Sequence, residues 1–196
     1  CPSRELAEKN AKNAMAQVDF FRKNGVRVVN MSWGDSAKSI EGQLELCNIG
    51  KTPEERGAIA RELFDLTKRG LQAAFASAPE ILFVAAAGNS NADAAFEEAI
   101  PSDIALPNLL TVGAVDMAGD EAPFTSYGPQ VKAHANGYQV ESFLPGGDRV
   151  AFSGTSMASP QVAGLAAKML AVNPKLTPPE VIAIIQKTLE KTPDGR

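Results

Sequence analysis

The chain has 196 residues, enough for one domain with its own hydrophobic core, and its 44% hydrophobic and 21% charged residues are ordinary for a globular protein. A formal net charge of -4 and a pI near 5.1 argue against nucleic acid as a partner, which wants a basic face. No apolar run approaches the roughly 20 residues needed to cross a bilayer, so no membrane partner is expected.

Residues 6–24 carry Ala7, Ala11, Ala14, Met15, Val18 and Phe21 at helical spacing, with Gly25 as the stop. Residues 26–31 follow as a short strand rich in β-branched side chains. A helix leading so quickly into a strand points to an α/β layout with a parallel sheet. Residues 34–51 are polar and irregular and read as a loop. Thr52-Pro53-Glu54-Glu55 has the form of a capping box with proline at the first helical position. Ile59, Leu63, Leu66 and Ala73 mark the buried stripe of the helix it opens, and Pro79 closes that helix. Residues 81–85 are nearly all apolar, as a strand buried on both faces requires, and residues 109–115 repeat the pattern. A loop with Gly88, Asn89 and Pro101 separates the two. Residues 121–153 hold short alternating stretches broken by Gly128, Gly137 and Gly146-Gly147 and read as β-hairpin structure. Residues 155–172 form an alanine-rich helix, apolar on most sides and hence buried. Thr177-Pro178-Pro179-Glu180 caps a last amphipathic helix through Val181, Ile184, Ile185 and Leu189. No repeat or linker interrupts the chain, which reads as one compact unit.

Cys1 and Cys47 allow one disulfide or two free thiols, and no metal-binding spacing joins them. The chain starts at Cys1 without a methionine or a signal-peptide pattern, which marks it as a processed product or an excised segment.

The chemistry-bearing stretch is Gly154-Thr155-Ser156-Met157-Ala158-Ser159-Pro160. A serine here enters a buried helix among small residues that let a substrate come close. Its N–H lies in the first helical turn, where no intrahelical acceptor exists and the helix dipole is positive, so it can stabilise an oxyanion. On these grounds alone a helix N-cap packed among small residues is the better explanation.

These seven residues, followed by Val162-Ala163-Gly164, resemble the nucleophile signature of the subtilisin family almost letter for letter, with Gln161 where the family usually has histidine. By that resemblance Ser156 is the nucleophile that attacks the scissile carbonyl. Residues 84–89, Val-Ala-Ala-Ala-Gly-Asn, are similar to the family's strand leading to its oxyanion-hole asparagine, which implies that Asn89 donates to the developing O⁻. From the residues alone, an asparagine making a turn after glycine is the simpler reading. Residues 29–34, Val-Asn-Met-Ser-Trp-Gly, resemble the strand whose backbone pairs with an extended peptide substrate. Ser32, Trp33 and Gly34 would then line the non-primed side, and Ala86, Ala87 and Gly88 would bound the pocket for the residue before the cut. The family often has leucine at Trp33, and without the resemblance that indole reads as a core or lid aromatic. Ile100-Pro101 stands where relatives have a cis peptide bond, and cis is expected here too. With residues 106–116 the match runs from about residue 6 to 188.

The resemblance implies a three-layer, subtilisin-like α/β fold with a mostly parallel sheet whose N-terminal strands are missing. Residues 1–196 would be the C-terminal part of a subtilase catalytic domain, with a surface insertion at about 35–62. The implied function is a serine-type endopeptidase acting on peptide or protein substrates through an acyl-enzyme on Ser156. The family's triad runs Asp, His, Ser, and its first two motifs belong before the first helix. The only histidine, His134, has no catalytic motif around it and reads as structural. A serine hydroxyl without its base is a poor nucleophile, so the piece alone is expected to be inactive. The alternative is a non-catalytic peptide-binding domain derived from such a protease. A nucleotide-binding domain lacks any glycine-rich phosphate motif to support it. No metal ligand or other cofactor is named in this chain, although the resemblance implies calcium in the full-length protein and a secreted or periplasmic setting. The strand at residues 26–31 would be left with an open edge. Pairing with the missing N-terminal part, rearrangement, or a homodimer would cover it, and self-association is the expectation.

Overall fold

A computed structural model describes residues 1–94 and 98–190; residues 95–97 of the expected loop and the last six residues lie outside the described set. α1 (Arg4–Lys23) starts behind Ser3, whose hydroxyl accepts the Leu6 N–H at 3.1 Å, and is followed by β1 (Val28–Met31). Next come β2 (Asp35–Ser36), α2 (Ala37–Leu46) and α3 (Pro53–Ala76), then β3 (Leu82–Ala86), β4 (Ala99–Ile100) and β5 (Leu109–Val115). β6 (Val131–Asn136), β7 (Val140–Phe143) and β8 (Arg149–Phe152) lead to α4 (Thr155–Val172) and α5 (Pro178–Thr188).

β1, β3, β5 and β6 lie side by side in that order and all run parallel. Strand periodicity sorts their side chains to two faces. Phe83 and Ala85 join Met31, Leu109 and the buried stripes of α1, α2 and α3 in one core. Leu82, Val84, Leu110, Val112 and Ala114 face the other way, under Ala158 and Val162 of α4 and Val181 and Ile185 of α5. Two cores on opposite faces of one sheet make three layers. All five residues of β3 are buried, which is why that segment is apolar throughout rather than alternating. Each large side chain so buried contributes about 1.5–3 kcal/mol. One polar group ties the layers together: the buried Asn108 Nδ2 donates to the Phe75 and Ala78 carbonyls at 3.0 Å and to that of Ile81 at 3.1 Å. The end of α3 is thereby satisfied inside the protein rather than by water.

Two expectations from the sequence are corrected. Residues 34–51 are not an irregular loop: β2 pairs antiparallel with β4, and α2 follows, capped by the Ser36 hydroxyl, which accepts the Ser39 N–H at 3.1 Å. Only Ile40 and Leu44, one turn apart, are buried on α2, too few to announce a helical period. Within residues 35–62, Ile40, Leu44 and Ala60 are buried in the core shared with α1 and α3. Residues 121–153 are also not all hairpin. Only β7 and β8 form one; β6 is the fourth parallel strand. Ala133 and Ala135 alternate toward the α4 side, and an edge strand with one covered face carries the same alternating signal as a hairpin arm.

The caps follow their motifs with one variation. Thr52 Oγ1 accepts the Glu55 N–H at 3.2 Å, but Glu55 Oε2 takes the N–H of Lys51, at 2.7 Å, rather than that of Thr52. At α5 the Glu180 carboxylate accepts both the N–H and the hydroxyl of Thr177, at 2.8 and 2.7 Å, and these bonds hold its pKa below the usual glutamate range. The Ile100–Pro101 peptide is cis, as expected.

Cys1 and Cys47 form a disulfide with Cα atoms 5.9 Å apart, tying the segment before α1 to the end of α2 across 46 residues. Cross-linking a loop of that length removes unfolded-state entropy worth about 4 kcal/mol. Reduction, or Cys47→Ser, is therefore expected to lower the urea midpoint and Tm substantially. A midpoint unchanged by dithiothreitol would show that the bond constrains nothing.

Among the described residues, no strand pairs with the outer edge of β1. Between α1 and β1 lies a hollow of about 170 Å³ lined by Gln17, Val18, Phe21, Val29, Asn30 and Met31.

Candidate active site

The carboxyl ends of β1 and β3 meet the amino end of α4, the edge at which parallel α/β sheets hold their ligands. Ser32, the residue after β1, donates its hydroxyl to the Ser156 carbonyl at 2.8 Å, and the Ser156 hydroxyl lies 3.4 Å from the Ser32 carbonyl oxygen. From the β3 side, the Gly88 N–H donates to Thr155 Oγ1 at 3.1 Å. Gly88 has φ +111°, and a Cβ there would lie 3.0 Å from Ser126 Oγ, so the turn out of β3 demands glycine.

Asn89 follows. Its Oδ1 accepts the Thr155 N–H at 2.8 Å and the Thr155 hydroxyl at 3.0 Å. With the oxygen engaged twice, the amide is fixed in one orientation and its Nδ2 donor is turned away from Thr155. Ser156 sits in the first turn of α4, so its N–H is one of the four that the helix cannot satisfy. A carbonyl oxygen set between these two donors would be polarised, and an oxyanion there stabilised.

The structure brings the sequence candidates together. Trp33, Gly34, Ala86, Ala87, Gly88, Asn89 and Ser156 line one cleft of about 270 Å³. Ser32 lies behind it, bonded to Ser156. Trp33 is 49% exposed on the cleft wall and is not a core aromatic.

Three groups of residues escaped the sequence reading. Thr155 orients Asn89. Asn30 and Ser159 brace the site from below: Ser159 Oγ donates to Asn30 Oδ1 at 2.7 Å, and Asn30 Nδ2 donates to Ser32 Oγ at 3.0 Å. The available signal was a polar residue inside the apolar strand Val-Val-Asn-Met. Ser36, Ser39 and Ser90 also line the cleft, the first two from the stretch read as loop.

His134 is in β6, at the sheet edge opposite β1. It pairs with Gly113, where a Cβ would come within 2.4 Å of the imidazole, so the ring occupies the space that glycine leaves. Among the described residues, no group of three or more His, Cys, Asp or Glu side chains is arranged to hold a metal ion.

The model of the subtilase family matches residues 2–196. The chain belongs to the subtilase family. Its relatives include subtilisin of Bacillus pumilus, 37% identical over 108 residues that cover 55% of this chain and 39% of that protein. Another is a thermostable alkaline protease of Halalkalibacterium halodurans, 30% identical over 188 residues, covering 94% of this chain and 43% of the relative. The crystal structure of a cold adapted subtilisin-like serine proteinase superposes with a TM-score of 0.67 at 28% identity, covering 93% of this subtilase chain and 56% of the other. The three-layer subtilisin-like fold is thus common to both. This chain spans about half the length, or less, of these relatives.

Proposed function

We propose that this subtilase chain is the nucleophile-bearing part of a serine endopeptidase. Ser156 Oγ attacks the carbonyl carbon of a peptide bond, and Asn89 Nδ2 and the Ser156 N–H take up the charge that develops on oxygen. The amine leaves, and water releases the acyl group from Ser156. An extended substrate pairs with the backbone of residues 32–34 and sets one side chain into the cleft bounded by Ala86, Ala87 and Gly88. The base and its orienting carboxylate come from the rest of the subtilase domain, which docks on the open edge of β1; without it, a second copy of the chain covers that edge. The family likeness supports calcium in the full-length protein, and no ligand for it is assigned in this chain. The Cys1–Cys47 disulfide supports a secreted or periplasmic setting, because cytosolic thiols are kept reduced.

The observation that carries this reading is the common cleft of Ser156 and Asn89, with Thr155 holding the amide in the donor orientation. Co-expression with the N-terminal segment of a subtilase relative bearing Asp and His tests it. A co-eluting complex should hydrolyse a peptide ester, and Ser156→Ala should abolish the activity. Activity that survives Ser156→Ala, or a complex that forms and stays inert, would favour a binding domain instead.

A further inference from the structure

The cleft beside Ser156 continues past three hydroxyls. Ser36, Ser39 and Ser90 also belong to the wall of a second, larger cavity of about 960 Å³ between α2 and α3. α2 makes this chamber. Ile40 and Leu44 seat that helix on α3, and the Cys1–Cys47 bond ties down its far end. The helical wall sets the small residues Ala37, Gly57 and Ala60 among Lys38, Ser39, Glu41 and Arg61, and a Cβ added at Gly57 would meet nothing within 4 Å.

Among the described residues that line the cleft and the chamber together, Asp35, Glu41 and Glu98 outnumber Lys38 and Arg61 by one charge. Arg61 and Glu98 pair with each other. Lys38 is exposed at the rim, whereas Glu41 is half-buried in the wall and Asp35 is half-buried on the cleft side of the junction. Two partly desolvated carboxylates thus face one solvated ammonium. A cation passing the serines gains from both. An acidic side chain meets like charge, and an aromatic one strips water from hydroxyls and carboxylates without replacing their hydrogen bonds.

We propose that the α2–α3 chamber is the outer part of the substrate site and receives the head group of a long basic side chain, lysine or arginine, whose stem lies in the cleft next to Ser156. The assignment rests on the peptide-binding reading above and adds its selectivity. Length is what admits a residue to the chamber, and Glu41 with Asp35 is what retains it.

Trp33 is the only tryptophan and lines the cleft, so its emission reports occupancy without any need for catalysis. The 196-residue chain would be titrated with tetrapeptides that differ only in a C-terminal Arg, Lys, Ala, Phe or Glu. Arg and Lys peptides are expected to bind about tenfold more tightly than the Ala and Glu peptides, with the advantage shrinking in high salt. Glu41→Gln should erase most of that advantage. Gly57→Leu should narrow the chamber and lower the Arg peptide's affinity toward that of the Ala peptide. Leucine is a better helix former than glycine and enters open space, so this variant should keep its Tm. Equal affinities across the series, a preference for Phe or Glu, or an Arg preference that survives both variants would overturn the chamber's role while leaving the peptide site standing. If none of the peptides binds, the functional reading fails and this inference falls with it.

Discussion

The chain by itself is expected to hydrolyse a peptide ester about 10⁶-fold more slowly than a complete subtilase, a magnitude taken from the loss of triad members in subtilisin itself. The reason is local. The Ser156 hydroxyl lies 3.4 Å from the Ser32 carbonyl oxygen, a group that can accept a hydrogen bond but cannot take the proton away. The only imidazole in the chain, His134, stands in β6 at the opposite edge of the sheet, packed over Gly113. Among the described residues, no general base is bonded to the Ser156 hydroxyl to raise its nucleophilicity at neutral pH. Whatever residual rate remains should be indifferent to Ser156→Ala and to His134→Ala. The measurement is steady-state ester hydrolysis by the purified chain and both variants, against an intact relative. A rate within about a hundredfold of that relative, lost in His134→Ala, would make His134 a base after all and undo the division of the triad proposed here.

How far the sequence foretold this arrangement depended on burial. Residues 109–115 and 155–172 match β5 and α4, because an element covered on all sides must be apolar on all sides, and that signal is hard to miss. α2 was invisible because two buried residues, Ile40 and Leu44, are all that its short length requires. β6 was misread because an edge strand with one covered face alternates like a hairpin arm. The disulfide stayed open, since spacing alone does not distinguish a bridge from two thiols. The candidate site was legible only through family resemblance. Physics alone gave Ser156 the role of a helix cap and Asn89 that of a turn residue. What alters that balance in three dimensions is Thr155, which engages Asn89 and Gly88 together, and no local sequence rule links positions 66 residues apart. Ser36, Ser39 and Ser90 were likewise hidden, because polar residues that line a cavity look like any solvated surface until the fold is known.

Asn89→Asp separates the catalytic role of that residue from a structural one. Aspartate keeps an acceptor where Asn89 Oδ1 stands, so both bonds from Thr155, now 2.8 and 3.0 Å, can persist and the loop after β3 should hold its shape. What disappears is the Nδ2 donor, and a negative charge takes its place beside the developing oxyanion. In the complex reconstituted with the Asp- and His-bearing segment, kcat should fall by at least 10²–10³, the loss observed in subtilisin itself when one oxyanion donor is removed. KM and Tm should change little, because the interaction is made only in the transition state. A merely structural asparagine predicts the reverse: Asp tolerated in kcat, with Asn89→Ala lowering Tm through the loss of the Thr155 bonds. Paired measurements of kcat, KM and Tm on the two variants decide the matter. A reconstituted Asn89→Asp complex with full turnover would remove Asn89 from the oxyanion site and leave Ser156 without its proposed partner.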